Sequence, residues 1–280
     1  MADTCKIDDR TLLLTRLAET CVQAGAAILA IYETDFAVTI KGDSSPVTEA
    51  DAAGEAIILA ALARLMPAVP VIAEEEVAAG RIPDTDGCFF LVDPLDGTKE
   101  FVERRGDFTV NVALIEAHAP SLGVVYAPVE RRLFVGDVAT GEAWSATVAA
   151  DGAIGERHPI RIRPVPPEGL SVVASRSHGS AATETYLAKF DVAHRVSRGS
   201  SLKICMVAAG EADLYPRLAP TCEWDIAAGD AVLRAAGGTL SAPDGGAMRY
   251  GKPKFFNPGF VAAGNVDAPP IAPLLDGLHG

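Results

Sequence analysis

The sequence predicts a layered α/β fold, with mixed sheets and helices lying between and outside them. Three observations carry this expectation. Strand and helix patterns alternate in both halves of the chain. Four short strand candidates follow one another between residues 108 and 145, separated by turn residues, as in an antiparallel meander. The 280 residues are 49% hydrophobic and 22% charged, which is enough apolar material for a large core under an ordinary polar surface.

Leu13, Leu14, Leu17, Val22, Ile28, Leu29 and Ile31 recur at helical spacing and predict a long amphipathic helix over residues 9–34. KGDSSPVTEAD is a polar loop, within which Thr48 and Asp51 have the spacing of an N-terminal capping box. The next helix should span 49–66 and stop before Pro67. VPVI is a short strand that runs into Glu74, Glu75 and Glu76. FFLV is a buried strand, DPLDGT a tight polar corner after it, and Lys99 opens a helix with Thr98 at its start. The meander takes residues 108–115, 122–126, 132–135 and 142–145. RHPIRIRPVPPEG then connects an N-terminal half, 1–155, to a C-terminal half, 156–280. In that second half, residues 170–175 and 212–215 read as strands, and 183–190 and 202–209 as helices. Residues 225–236 form a clear helix closed by Gly237 and Gly238.

Composition narrows the function. A net charge of −13 and a pI near 4.8 argue against nucleic-acid binding and against an anionic membrane surface. A small anionic substrate stays open, because bound cations reverse a local field. Five cysteines without a CxxC pair disfavour a disulfide framework and a structural zinc site. The polar N-terminus is no secretory signal, and Arg16 and Glu19 interrupt the most apolar early stretch, so no membrane insertion is expected. The expected setting is cytoplasmic, with reduced thiols.

The corner after FFLV raises a physical problem, because carboxylates at the mouth of a buried strand are costly unless something pairs with them. Pro94 fixes its own backbone and Gly97 permits a left-handed turn, so the corner can aim Asp93 and Asp96 at one point. The carbonyl of Leu95 lies between them. Such an oxygen set suits a hard cation such as Mg²⁺, and the absence of nearby His or Cys disfavours zinc. Taken singly, each piece has a plainer reading: DPLDGT is an ordinary polar turn, the glutamates a solvated loop, and Asp225 a helix N-cap. Taken together, acids at three strand or helix ends describe a two-metal phosphatase site.

EEEVAAG, DPLDGTKEF and WDIAAGDAVLRAAGG resemble the signature segments of the lithium-sensitive, magnesium-dependent phosphatases of the inositol monophosphatase superfamily, in order and over roughly residues 10 to 265. KGDSSPVTEAD, GDFTVNVALI, GVVYAPV, ASRSH, GSSLK and ADLYPRLAPTCEWD are most similar to its CysQ-type branch, the 3′(2′),5′-bisphosphate nucleotidases. The resemblance implies an αβαβα sandwich. It implies a lithium-inhibited, Mg²⁺-dependent enzyme of sulfate assimilation that removes the 3′-phosphate of adenosine 3′,5′-bisphosphate, with phosphoadenosine phosphosulfate a possible second substrate. The implied cofactor is Mg²⁺, two or three ions; the implied protein is a monomer or homodimer.

The resemblance also implies roles residue by residue. Glu74, Asp93, Asp96, Asp225 and the carbonyl of Leu95 would bind the metal. Glu74 and Thr98, the latter paired with Asp51, would orient and deprotonate the attacking water. Glu75 would be a neighbour supporting Glu74. Gly97 and Thr98 would offer backbone N–H groups to the phosphate, and Asp225 would also touch substrate. Arg217 stands near the place where inositol-specific members carry a sugar-binding Glu. A guanidinium suits a second phosphate better than a neutral polyol. Ser175 and Arg176, with Ser177 and His178, form one donor cluster; Ser200, Ser201 and Lys203 form another. Two alternatives remain: an inositol phosphate or sugar phosphate phosphatase of the same fold, and a catalytically silent regulatory member.

Overall fold

The computed structural model describes residues 6–40, 46–85, 87–175 and 180–275. Its core is a seven-stranded sheet whose strands lie in sequence order: Val71–Ala73, Cys88–Asp96, Thr109–Glu116, Ala119–Ala127, Arg132–Asp137, Glu142–Thr147 and His158–Pro159. Every neighbouring pair is antiparallel except the first, in which Val71, Ile72 and Ala73 run parallel to Phe90, Leu91 and Val92. The expected meander is present. A second, five-stranded mixed sheet has the order Val192–Arg198, Leu170–Ser175, Leu214–Arg217, Phe260–Ala263, Thr239–Ser241.

Helices complete the layers. Arg10–Tyr32 and Glu49–Leu65 pack on each other and on one face of the large sheet. Leu202–Ala208 and Glu223–Ala235 lie between the two sheets, and Ala181–Leu187 with Ala272–Leu275 covers the far side of the small one. The result is the expected αβαβα sandwich. The large sheet runs to Pro159, so the anticipated division at residue 155 falls just before its last strand and would part that strand from the sheet.

The middle layer rests on two glycines. Gly123 and Gly136 face each other across neighbouring strands. A Cβ on Gly123 would stand 2.6 Å from the Cβ of Ala231, and one on Gly136 would stand 2.6 Å from the Cα of Val232. The helix Glu223–Ala235 therefore lies against bare backbone, which fixes the height of Asp225 at its N-terminal end.

The first helix passes the composition test for a bilayer span, contrary to the expectation from Arg16 and Glu19. Its apolarity is used inside the fold: Leu13, Leu14, Leu17, Val22 and Ile28 are buried in the core against the large sheet. Arg10 pins its start. The Arg10 guanidinium donates to Asp137 at 2.7 and 3.0 Å, to Glu116 at 3.3 Å and to the Ser121 hydroxyl at 2.9 Å. Arg10→Ala leaves Asp137 buried without its cation. The expected cost is about 2–3 kcal/mol, short of the full buried-pair loss because Arg10 is one-quarter exposed. A melting curve with unchanged midpoint would contradict this.

Cys21, Cys205 and Cys222 are not disulfide-bonded. Cys88 is disulfide-bonded, which corrects the expectation of reduced thiols throughout.

Candidate active site

The strand Cys88–Asp96 carries the acidic corner. Pro94 does not end the strand; it sits in a bulge. Pairing passes from Asp93 opposite Asn111 to Asp96 opposite Thr109, so that Pro94 and Leu95 stand against Val110 alone. A residue without an N–H is tolerated where the ladder is already interrupted. Gly97 then turns left-handed at φ 98° and opens the helix Thr98–Val102. The parallel neighbour Val71–Ala73 ends beside Val92, so Glu74, at the start of the short helix Glu74–Ala78, stands next to the corner. Asp225 comes from the opposite side, in the first turn of Glu223–Ala235.

Each of the three aspartates spends one oxygen on a backbone N–H. Asp93 Oδ1 accepts from Leu95 at 2.9 Å, Asp96 Oδ2 from Ser201 at 2.5 Å and Asp225 Oδ2 from Cys222 at 2.8 Å. The second oxygen of each is left for another ligand. Burial holds the Asp93 carboxyl well above the usual range, and the charges of Glu74, Asp96 and Asp225 push it the same way. Asp225 is raised by burial and by Asp96 and Glu74. Asp96 is pushed up to about 6 by burial, against the Lys203 ammonium and the Ser201 N–H. Four carboxylates thus repel one another in one place.

The donor set fits a hard divalent cation: carboxylate oxygens, a nearby carbonyl, and clustered negative charge that Lys203 and Arg217 offset only in part. Among the described residues no three His, Cys, Asp or Glu side chains already stand in a metal-holding arrangement. The acids are gathered, and loading would require their free oxygens to turn inward.

A cleft of about 290 Å³ opens beside the corner. Asp96, Gly97, Thr98, Ser200, Ser201, Lys203, Arg217 and Asp225 all line it, as do Lys99, Tyr215 and Phe260. Sequence reasoning had them on four separate segments. Lys203 is not an exposed helix lysine: it is buried, its Nζ donates to the Ser200 carbonyl at 2.5 Å and lies 5.3 Å from the Tyr215 ring centre. Burial pulls its pKa down to about 8, and Asp96 opposes this. Arg217 donates to the carbonyls of Ala219 and Pro220, and its charge reaches both Lys203 and Asp225.

Other expected roles look different in place. The Thr98 hydroxyl donates to the Leu95 carbonyl at 3.3 Å rather than to Asp51. Asp51 Oδ2 accepts from both the N–H and the hydroxyl of Thr48, the capping box that the sequence suggested. Asp51 Oδ1 is buried with no partner. Burial pushes the Asp51 carboxyl up to about 6, with Thr48 opposing and Glu74 and Glu75 reinforcing. The Ser201 hydroxyl is buried and engaged with Asn111 and Thr109, so its backbone N–H is its contribution to the site. Ser175 ends its strand opposite Arg198. Arg176, Ser177 and His178 lie outside the described residues, as does the KGDSS loop.

Sequence reasoning missed Glu55. It lies one helical turn beyond Asp51, is buried, and accepts from the Glu75 N–H at 2.9 Å, so it anchors the loop that carries Glu74. Two acids at i and i+4 on the apolar face of a helix were the available signal.

Residues 10–276 match the inositol monophosphatase family. The chain is 42% identical over 251 residues to the 3′(2′),5′-bisphosphate nucleotidase CysQ of Escherichia coli (strain K12), covering 89% of this chain and 98% of that one. It is 36% identical to the CysQ nucleotidase of Buchnera aphidicola, covering 90% and 93%. Among solved structures, CysQ from Bacteroides thetaiotaomicron superposes with a TM-score of 0.76 at 35% identity, covering 92% of this chain and 99% of that one. The inositol monophosphatase from Anabaena shares the fold, with a TM-score of 0.71 at 24% identity and coverage of 96% and 95%.

Proposed function

The chain belongs to the inositol monophosphatase family, and from that premise we propose that it is a metal-dependent 3′(2′),5′-bisphosphate nucleotidase that removes the 3′-phosphate of adenosine 3′,5′-bisphosphate. One observation carries the substrate reading. One cleft in a protein of net charge −13 gathers Lys99, Lys203 and Arg217 together with Asp96 and Asp225. The acids suit cations. The basic side chains suit a second phosphate, which a neutral polyol lacks.

In this reading Glu74, Asp93, Asp96, Asp225 and the Leu95 carbonyl would hold Mg²⁺, which when bound would supply Lewis-acid activation of a water and charge neutralisation at the leaving oxygen. Thr98 and Glu74 orient the water. Asp51 Oδ1, buried without a partner, is the acceptor that the Thr98 hydroxyl would take on turning away from the Leu95 carbonyl. Gly97 and Thr98 present backbone N–H groups to the scissile phosphate. Arg217 and Lys203 take the other phosphate, which fixes the substrate for in-line attack. A cytoplasmic location belongs to the same proposal.

Phosphate release from adenosine 3′,5′-bisphosphate, measured with Mg²⁺ and with excess EDTA, tests the reading. Rapid release that EDTA abolishes is expected. Faster release from inositol 1-phosphate would keep the metal site and overturn the substrate, and release from neither would favour the catalytically silent alternative. Arg217→Gln is expected to raise KM for the bisphosphate about 10- to 100-fold, the loss of one charge-assisted contact, and to leave inositol 1-phosphate turnover unchanged. An equal effect on both substrates would remove Arg217 from phosphate selection.

A further inference from the structure

Asn111 is 1% exposed, and its amide Nδ2 has no hydrogen-bond partner. A buried donor left unpaired costs about 1–3 kcal/mol, so an orphan of this kind calls for an acceptor. Its Oδ1 is already used: the Ser201 hydroxyl donates to it at 2.7 Å. Ser201 in turn takes the Thr109 hydroxyl at 2.8 Å and gives its backbone N–H to Asp96. With one hydroxyl proton committed to Asn111, the Thr109 hydroxyl is the donor in that pair.

The register gives this chain of contacts its meaning. Asn111 is directly opposite Asp93, and Thr109 is directly opposite Asp96. Directly opposed residues carry their Cβ atoms about 4.5–5.5 Å apart and present their side chains to the same face. Thr109, Asn111 and Ser201 therefore form a neutral, hydrogen-bonded platform beside two carboxylates that burial and mutual repulsion drive apart. Ser201 ties the platform to the C-terminal half of the chain. Asp93 has one oxygen on the Leu95 N–H, and its other oxygen belongs to the residue directly opposite Asn111.

We propose that Asn111 is a positioning residue for the cation site. Its amide donates to Asp93 when the acids turn inward, and this sets the spacing of Asp93 and Asp96. A carboxylate at this position would add charge to the cluster, and an aliphatic side chain would let Asp93 swing. Asparagine is neutral, supplies the donor and keeps Ser201 in place.

This rests on the metal reading above, so the test reads metal and substrate separately. Mg²⁺ binding to the full chain is measured by calorimetry without substrate, for the native protein, Asn111→Ala and Ser201→Ala. Melting in EDTA confirms that each is folded. Asn111→Ala is expected to weaken Mg²⁺ binding at least tenfold, and Ser201→Ala severalfold. For the Asn111 variants, KM at saturating Mg²⁺ should stay within twofold. Asn111→Ser serves if the alanine variant does not fold, with the same expectation. A folded Asn111 variant that binds Mg²⁺ within twofold of the native protein overturns the proposal, as does a loss confined to melting temperature. Failure of the native protein to bind Mg²⁺ would instead overturn the metal reading itself.

Discussion

Asp93→Asn is expected to lower Mg²⁺-dependent phosphate release by two to three orders of magnitude while raising the melting temperature of the metal-free protein. The two effects have one cause. Asp93 is buried among Glu74, Asp96 and Asp225, and its carboxyl is held well above the usual range by burial and by those charges. Without a cation, the folded state carries the repulsion; the unfolded chain does not. Asparagine keeps the shape and removes one negative charge, so the metal-free protein gains about 1–2 kcal/mol. The same charge is what a divalent cation would bind, and loss of one preorganised electrostatic group costs about 10²–10³ in rate. Mg²⁺ should therefore raise the melting temperature of the native protein by mass action and that of Asp93→Asn much less. The two proteins would be measured in EDTA and again with Mg²⁺. A variant that melts lower than the native protein in EDTA, or keeps full activity, would show that Asp93 is an ordinary structural acid.

Much of this site was legible because its first pieces are local. The capping box of Thr48 and Asp51 is a spacing of three, and it forms as read. The corner around Gly97 needs only the backbone preferences of Pro94 and Gly97. Glu74 became readable through one further inference, that two adjacent apolar strands run parallel, which the pairing of Val71–Ala73 with Phe90–Val92 bears out. Residues whose roles depend on distant partners were illegible. Thr109 and Asn111 alternate with Val110 and Val112 in a strand that reads as apolar. The signal was two polar groups on one face of a buried strand, but their partner is Ser201, about ninety positions away. Lys203 was readable as a donor, but its burial was not, because nothing local shows that Tyr215 packs beside it. The strand Val192–Arg198 was missed for another reason. It is a largely exposed edge, so HRVSR lacks the apolar alternation on which strand reading depends.

Gly123→Ala tests the least visible of these long-range constraints. Nothing in GVVYAPV announces a role for its first residue beyond a weak point in a strand. In the fold, Gly123 and Gly136 form a flat patch on which Ala228, Ala231 and Val232 of the middle helix rest. A methyl group on Gly123 would meet the Cβ of Ala231 at 2.6 Å, well inside van der Waals contact, and the Ala228 backbone is equally close by. Neither neighbour is the flexible end of a long side chain, so the helix itself must rise. Overpacking of this kind costs about 1–3 kcal/mol and sometimes more. In a chain of this size each kcal/mol lowers the melting temperature by about 2 °C. The rise also carries Asp225 away from Asp93 and Asp96, because it sits two turns up the same helix. The variant should therefore melt several degrees lower and need several times more Mg²⁺ for half-maximal activity. Gly141→Ala is the control: its φ of 67° strains an alanine, but a Cβ there meets nothing within 4 Å. That variant should lose about 1 kcal/mol and keep the native Mg²⁺ dependence. If Gly123→Ala also kept it while melting lower, the height of the helix would matter to stability alone, and Asp225 would have to be held in place by the loop before it.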